Sequence, residues 1–157
     1  MMLENLPICI SLTFGLTVVT TLFLFSLVIQ ASSSPITQKN STIIIISLII
    51  WLTIQAVLTL KNIYSSNTNS FPPKILLFGI LPPILAIVVL FSTKKGRQFI
   101  DSLSLTNITY LNIVRVPVEI VLFWLFLNKA IPELITFEGK NFDIIAGITA
   151  PIIAYFG

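Results

Sequence analysis

Five largely apolar runs, separated by short polar stretches, organise this chain. The first covers 6–29 and is closed by the polar segment 30–42. Its roughly 24 residues reach about 36 Å as a helix, enough to cross ~30 Å of hydrocarbon. No Lys or Arg precedes it and its apolar core is longer than a leader needs, so it reads as a membrane span, not a cleaved signal. The second run, 43–60, ends at Lys61 and the Asn- and Ser-rich loop 62–74 with Pro72 and Pro73. The third, 75–91, ends at the basic loop around Lys94, Lys95 and Arg97, and carries Pro82 and Pro83, whose missing amide donors predict a kink. Residues 99–105 are expected to run along the interface before a fourth span at 105–127. A fifth run, 144–156, would extend only ~20 Å and is too short to cross. It is either re-entrant or the start of a helix in a longer protein, and the second is the expectation.

The runs are continuous, whereas a transmembrane barrel would alternate. The pattern therefore predicts an all-α fold: a polytopic transmembrane helical bundle, one domain over 1–157, with four full spans plus a short or truncated fifth. Composition strengthens this. Hydrophobic residues make up 55% and charged residues 10%, with a mean hydropathy of +1.01, whereas soluble domains carry roughly 25% charged residues. The net charge of +3 does not point to nucleic acid, because only Lys94, Lys95 and Arg97 cluster, and a short basic loop suits lipid headgroups at the cytoplasmic face. Cations divide four against four between the two sides, so orientation rests on that cluster. It places the third loop in the cytoplasm and the N-terminus outside.

Composition also excludes chemistry. With no histidine the chain cannot build a His-ligated haem, a His-rich zinc site, or a Ser-His-Asp or Cys-His unit. The single Cys9 allows no internal disulfide. Neither a P-loop nor GxGxxG occurs. No cofactor and no metal is expected.

The sequence Arg115-Val116-Pro117-Val118-Glu119 stands out, because both charges fall near the middle of the fourth span. Each is costly to insert, by ~2.5–3.5 kcal/mol. Four residues apart, they share a helix face, and direct pairing with each other is the expectation. Asn112, with Thr109, extends the stripe by a turn. The pair reads either as a substrate, ion or partner contact or as internal glue between helices. Gln55 in the second span is the other polar group that needs a partner in lipid. Thr13, Thr17, Thr20 and Thr21, and Ser47 and Thr59, recur at helical spacing, but their hydroxyls can bond their own helix backbone.

Between the fourth and fifth runs, Glu133, Glu138, Lys140 and Asp143 are interleaved with large apolar residues. The three acids offer oxygen ligands for a divalent cation, yet their spacing matches no EF-hand and a solvated acidic loop is the plainer reading. Asp143 is expected to cap the helix that follows. In that helix Ala146, Ala150 and Ala154 recur every fourth residue beside Gly147, a small-residue face for close packing within the chain, in a homo-oligomer or against a membrane-protein partner.

The stretches RVPVEIVLFWLF and PELITFEGKNFDIIAGITAP, within 115–151, resemble a family of uncharacterised polytopic membrane proteins of Bacteroidota-type bacteria. The resemblance implies a bacterial inner-membrane, multi-pass protein and carries over no activity. Three function classes stay open: small-solute or ion transport using Glu119 with Arg115; a non-catalytic accessory or assembly subunit of a membrane complex; and, least favoured, a metal-assisted lipid-headgroup enzyme built on Glu133, Glu138 and Asp143.

Overall fold

The computed structural model describes residues 6–65 and 71–156, and every regular element among them is helical. Part of the loop read at 62–74 lies outside the described residues. In chain order the elements are α1 (Ile8–Gln30), α2 (Pro35–Lys39), α3 (Ser41–Leu60), a π-helical stretch (Leu76–Ile80), α4 (Leu81–Ser92) and α5 (Lys94–Asp101). There follow α6 (Leu105–Leu111), a 3-10 turn (Asn112–Val114), α7 (Arg115–Leu127), a second 3-10 turn (Glu133–Ile135) and α8 (Asp143–Phe156). Three helical stretches are long and apolar enough to cross a membrane: Ile8–Gln30, Ser41–Leu60 and Leu105–Leu127. The 14 residues of α8 reach only about 21 Å.

The third apolar run is where the structure departs from a simple rod. Leu76–Ser92 is followed by a bend of 90° into Lys94–Asp101. The break inside it follows from proline chemistry. Pro82 has no N–H, so the carbonyl of Phe78, four residues earlier, loses its helical donor. The backbone widens into the π-helical stretch Leu76–Ile80, and the side-chain amide of Gln55 donates to Phe78 O at 3.0 Å. Gln55 Oε1 accepts in turn from the Tyr64 hydroxyl. The costly glutamine of α3 thus satisfies the carbonyl that Pro82, at the start of α4, orphans. Replacing Gln55 by leucine is expected to lower stability by about 1 kcal/mol, read as a fall in the thermal midpoint in detergent. An unchanged midpoint would mean that the break holds itself.

At the corner Thr93 is extended, its Oγ1 accepts from Gly96 N at 3.1 Å and donates to Val89 O at 2.9 Å. One hydroxyl therefore closes α4 and caps α5. Further along, Ser102 Oγ accepts from Ser32 Oγ at 2.8 Å and donates to Phe99 O at 2.7 Å, with Thr37 Oγ1 at 3.2 Å. All three hydroxyl residues are buried.

The described chain divides into two compact units, one formed by residues up to Ala31 and from Ser104 onward, the other by Ser32–Leu103. In the first, α1, α6, α7 and α8 pack on one another around Ile10, Val28, Ile29, Val121 and Ala150. On α1, Ile8, Leu12, Leu16, Val19 and Phe23 recur every third or fourth residue and are left uncovered. A stripe of that kind suits hydrocarbon, not water. In the second unit α3 buries no residue completely and presents Ile44, Leu48, Trp51, Gln55 and Leu58 as its half-buried face.

Candidate functional site

The apolar stretch Leu105–Leu127 carries Arg115 and Glu119 on one face, and the segment after it returns along that face. Phe123, Glu119 and Arg115 are spaced four apart and so lie one above another on α7. The returning segment meets them in reverse order. Phe137 packs on Phe123 with ring centroids 5.0 Å apart, Asn141 Nδ2 donates to Glu119 Oε1 at 2.6 Å, and Arg115 Nη1 pairs with Asp143 Oδ1 at 2.5 Å. Three rungs, one apolar, one polar and one ionic, fasten residues 137–143 to α7.

The direct Arg115–Glu119 pair expected from their spacing is not formed. Arg115 is held by Asp143 and by Asn112, whose Oδ1 accepts from Nε at 3.2 Å. Asn112 Nδ2 is directed back at the carbonyls of Ile108 and Thr109, both at 3.3 Å, so Asn112 orients the guanidinium as expected of a member of the stripe. The physical reason for the exchange is reach. The half-exposed guanidinium extends to the start of α8, while the shorter carboxyl of Glu119 stays against the helix. Asp143 accordingly does not act as the cap predicted for it. Its own N–H donates to Asn141 Oδ1 at 3.2 Å, so Asn141 closes the turn into α8 while the Asp143 carboxylate serves Arg115.

Glu119 is 2% exposed, and one of its two oxygens is unsatisfied. Oε1 accepts from Asn141, whereas Oε2 is buried with no hydrogen-bond partner, and no cation pairs with Glu119 among the described residues. The loop holding Asn141 is rigidified by Thr136, which is fully covered. Its Oγ1 donates to Glu133 O at 2.8 Å, and its carbonyl accepts from Gly139 N and Asn141 N at 3.0 and 3.3 Å. Asn141 Nδ2 also reaches Ile135 O at 3.1 Å.

The other sequence-predicted residues disperse. Glu133 and Glu138 are exposed on the loop and Asp143 faces Arg115, and no group of three metal-ligating side chains occurs among the described residues. The lipid-headgroup enzyme reading thereby loses its ligand set. Gln55 belongs to the other unit and is engaged there. Thr17, Thr21, Ser47 and Thr59 donate to the carbonyls four residues back on their own helices. On α8 the closely packed face is Gly147 and Ala150, with Ala154 half-buried and Ala146 exposed. The small-residue face is therefore turned by about one position from the Ala146, Ala150, Ala154 series, and its middle is covered by the chain itself.

Two residues that matter here, Asn141 and Phe137, carry no signal of their own in the sequence. No known protein family, curated protein or solved structure matches the chain.

Proposed function

We propose that this chain is a multi-span protein of a bacterial inner membrane that moves a proton or another small cation, with Glu119 as the carboxyl that carries it. The supporting observation is Glu119 Oε2, buried in a stretch apolar enough to cross a membrane and without a partner. A carboxyl kept only as glue would use both oxygens, because an unsatisfied polar group in hydrocarbon costs several kcal/mol. Arg115 does not fill the vacancy, since Asp143 and Asn112 engage it. An intramembrane carboxyl left in this condition is suited to a proton or a cation of like charge.

In this reading four segments cross. Leu76–Ser92, about 26 Å long, spans with modest local thinning of the bilayer, and α5 lies in the interface. The basic loop at Lys94, Lys95 and Arg97 faces the cytoplasm and the N-terminus lies outside.

The test is flux. The full chain is reconstituted into liposomes holding a pH-sensitive dye, with a potential imposed by potassium and valinomycin, and the measurement is repeated with a sodium gradient. Wild type is expected to pass protons or sodium above protein-free vesicles, and Glu119→Gln to fall to the protein-free level. Equal flux in wild type and variant, or none in wild type, overturns the proposal and leaves the accessory or assembly role as the reading to pursue.

A further inference from the structure

The 32–103 unit is strongly basic. It holds Lys39, Lys61, Lys74, Lys94, Lys95 and Arg97 against a single acid, Asp101. Three of the six cations sit in the first half of α5, the helix that leaves the apolar Leu76–Ser92 segment at 90°. With that segment inserted, α5 runs in the plane of the headgroups, its cations at the level of lipid phosphates.

Beside it lies a groove of about 430 Å³, formed by α2, the start of α3 and α5. Ser34, Thr37, Asn40, Lys95 and Gln98 supply its polar lining, and Ile36, Ile44 and Phe99 its apolar lining. Among the described residues no acidic side chain lines it. The walls are fixed by the buried hydroxyl cluster of Ser32, Thr37 and Ser102, and by Ser33 N donating to Ser102 O at 2.8 Å, which ties the segment before α2 to the end of α5.

We propose that this groove binds the headgroup of an anionic phospholipid: Lys95 meets the phosphate, the amides of Asn40 and Gln98 donate to its oxygens, and Ile36, Ile44 and Phe99 take the first acyl carbons. A free inorganic anion would leave that apolar half of the groove uncovered. An amphiphile fills both halves, and the excess of cations selects a negative one. The site is independent of Glu119 and stands or falls separately from the transport reading.

Native mass spectrometry of the full chain, released from detergent after incubation with dioleoyl phosphatidylglycerol or dioleoyl phosphatidylcholine, tests it. Wild type is expected to retain phosphatidylglycerol and to lose phosphatidylcholine. Lys95→Ala should weaken retention about five-fold, the effect of one cation at the membrane surface. Lys95→Arg keeps the charge and should bind as wild type does, as should Lys61→Ala, which lies outside the groove. Gln98→Ala, a milder change on the same wall, should lose affinity in the same direction. Equal retention of the two lipids, or Lys95→Ala binding like wild type, overturns the proposal. Displacement of phosphatidylglycerol by an equal concentration of inorganic phosphate also overturns it, because the groove would then be an ion site.

Discussion

Replacing Gly96 by alanine is expected to destabilise the corner between α4 and α5 by about 3 kcal/mol or more. A Cβ at this position would stand 2.6 Å from Leu90 Cα and 2.7 Å from Leu90 C, and closer still to the Leu90 carbonyl oxygen. These are backbone atoms of the preceding helix, so no rotamer change relieves the clash. The only relief is to move α5 away from α4. That movement pulls Gly96 N from Thr93 Oγ1 and removes the cap that starts α5. The amides of 94–102 should then exchange with deuterium far faster than in wild type, and the thermal midpoint should fall. Gly15→Ala is the matched control, because nothing lies within 4 Å of its added Cβ. Inside α1 that change is expected to stabilise by about 0.5–1 kcal/mol. Unchanged protection of 94–102 in Gly96→Ala would show that the corner does not depend on close approach at this glycine.

The corner also shows what the sequence makes legible. Apolar runs mark where helices lie because burial in lipid is decided residue by residue, and the helices Ile8–Gln30, Ser41–Leu60 and Leu105–Leu127 fall within two residues of the runs that suggest them. Pro82 marks the break equally well, and simple subtraction of four gives the carbonyl it orphans. That Gln55 is the donor to Phe78 could be guessed only from its amide being unable to satisfy itself on its own helix within an apolar stretch. The 90° turn was not legible. It arises from Thr93 in an extended conformation and from the absence of a Cβ at Gly96, neither of which alters hydropathy.

Partner choice at the candidate site was also hidden, for a different reason. Helical spacing gives the face on which Arg115 and Glu119 sit, and their opposite charges make a direct pair the simplest reading. Which contacts form depends on how residues 137–143 return, and no local periodicity encodes that. The loop supplies Asp143 for the longer side chain and Asn141 for the shorter. The outcome separates two residues that the sequence treats as one unit: Arg115 is engaged as a fastener of α8, and Glu119 is left with an oxygen to spare. On the proposed reading that spare oxygen is what takes the proton or cation, since a carboxylate wholly spent on a neighbouring arginine could not.

Substitution of Gly147 by valine is expected to cost about 3 kcal/mol and to loosen the whole ladder on α7. A Cβ at Gly147 would lie 2.8 Å from Val116 Cγ2, 3.1 Å from Val116 N and 3.2 Å from Asn112 O. Small residues allow helix backbones in a membrane to approach closely, and packing, not hydrophobic exclusion, holds them together there. Gly147 is one turn after Asp143, so displacing α8 at this point draws Asp143 from Arg115 and Asn141 from Glu119. Gly147→Ala is expected to be milder, because one of its three close neighbours is a side chain. Removing that neighbour by Val116→Ala should then recover part of the loss, giving a favourable coupling in a double-mutant cycle. The backbone contacts at Val116 N and Asn112 O remain, so recovery should be incomplete. Should the proposed transport be found, Gly147→Val is expected to lower it without touching Glu119, and Val116→Ala to restore part of it in Gly147→Ala. Wild-type stability in Gly147→Val, or no rescue by Val116→Ala, would show that α8 is held by Arg115–Asp143 and the Asn141 loop alone.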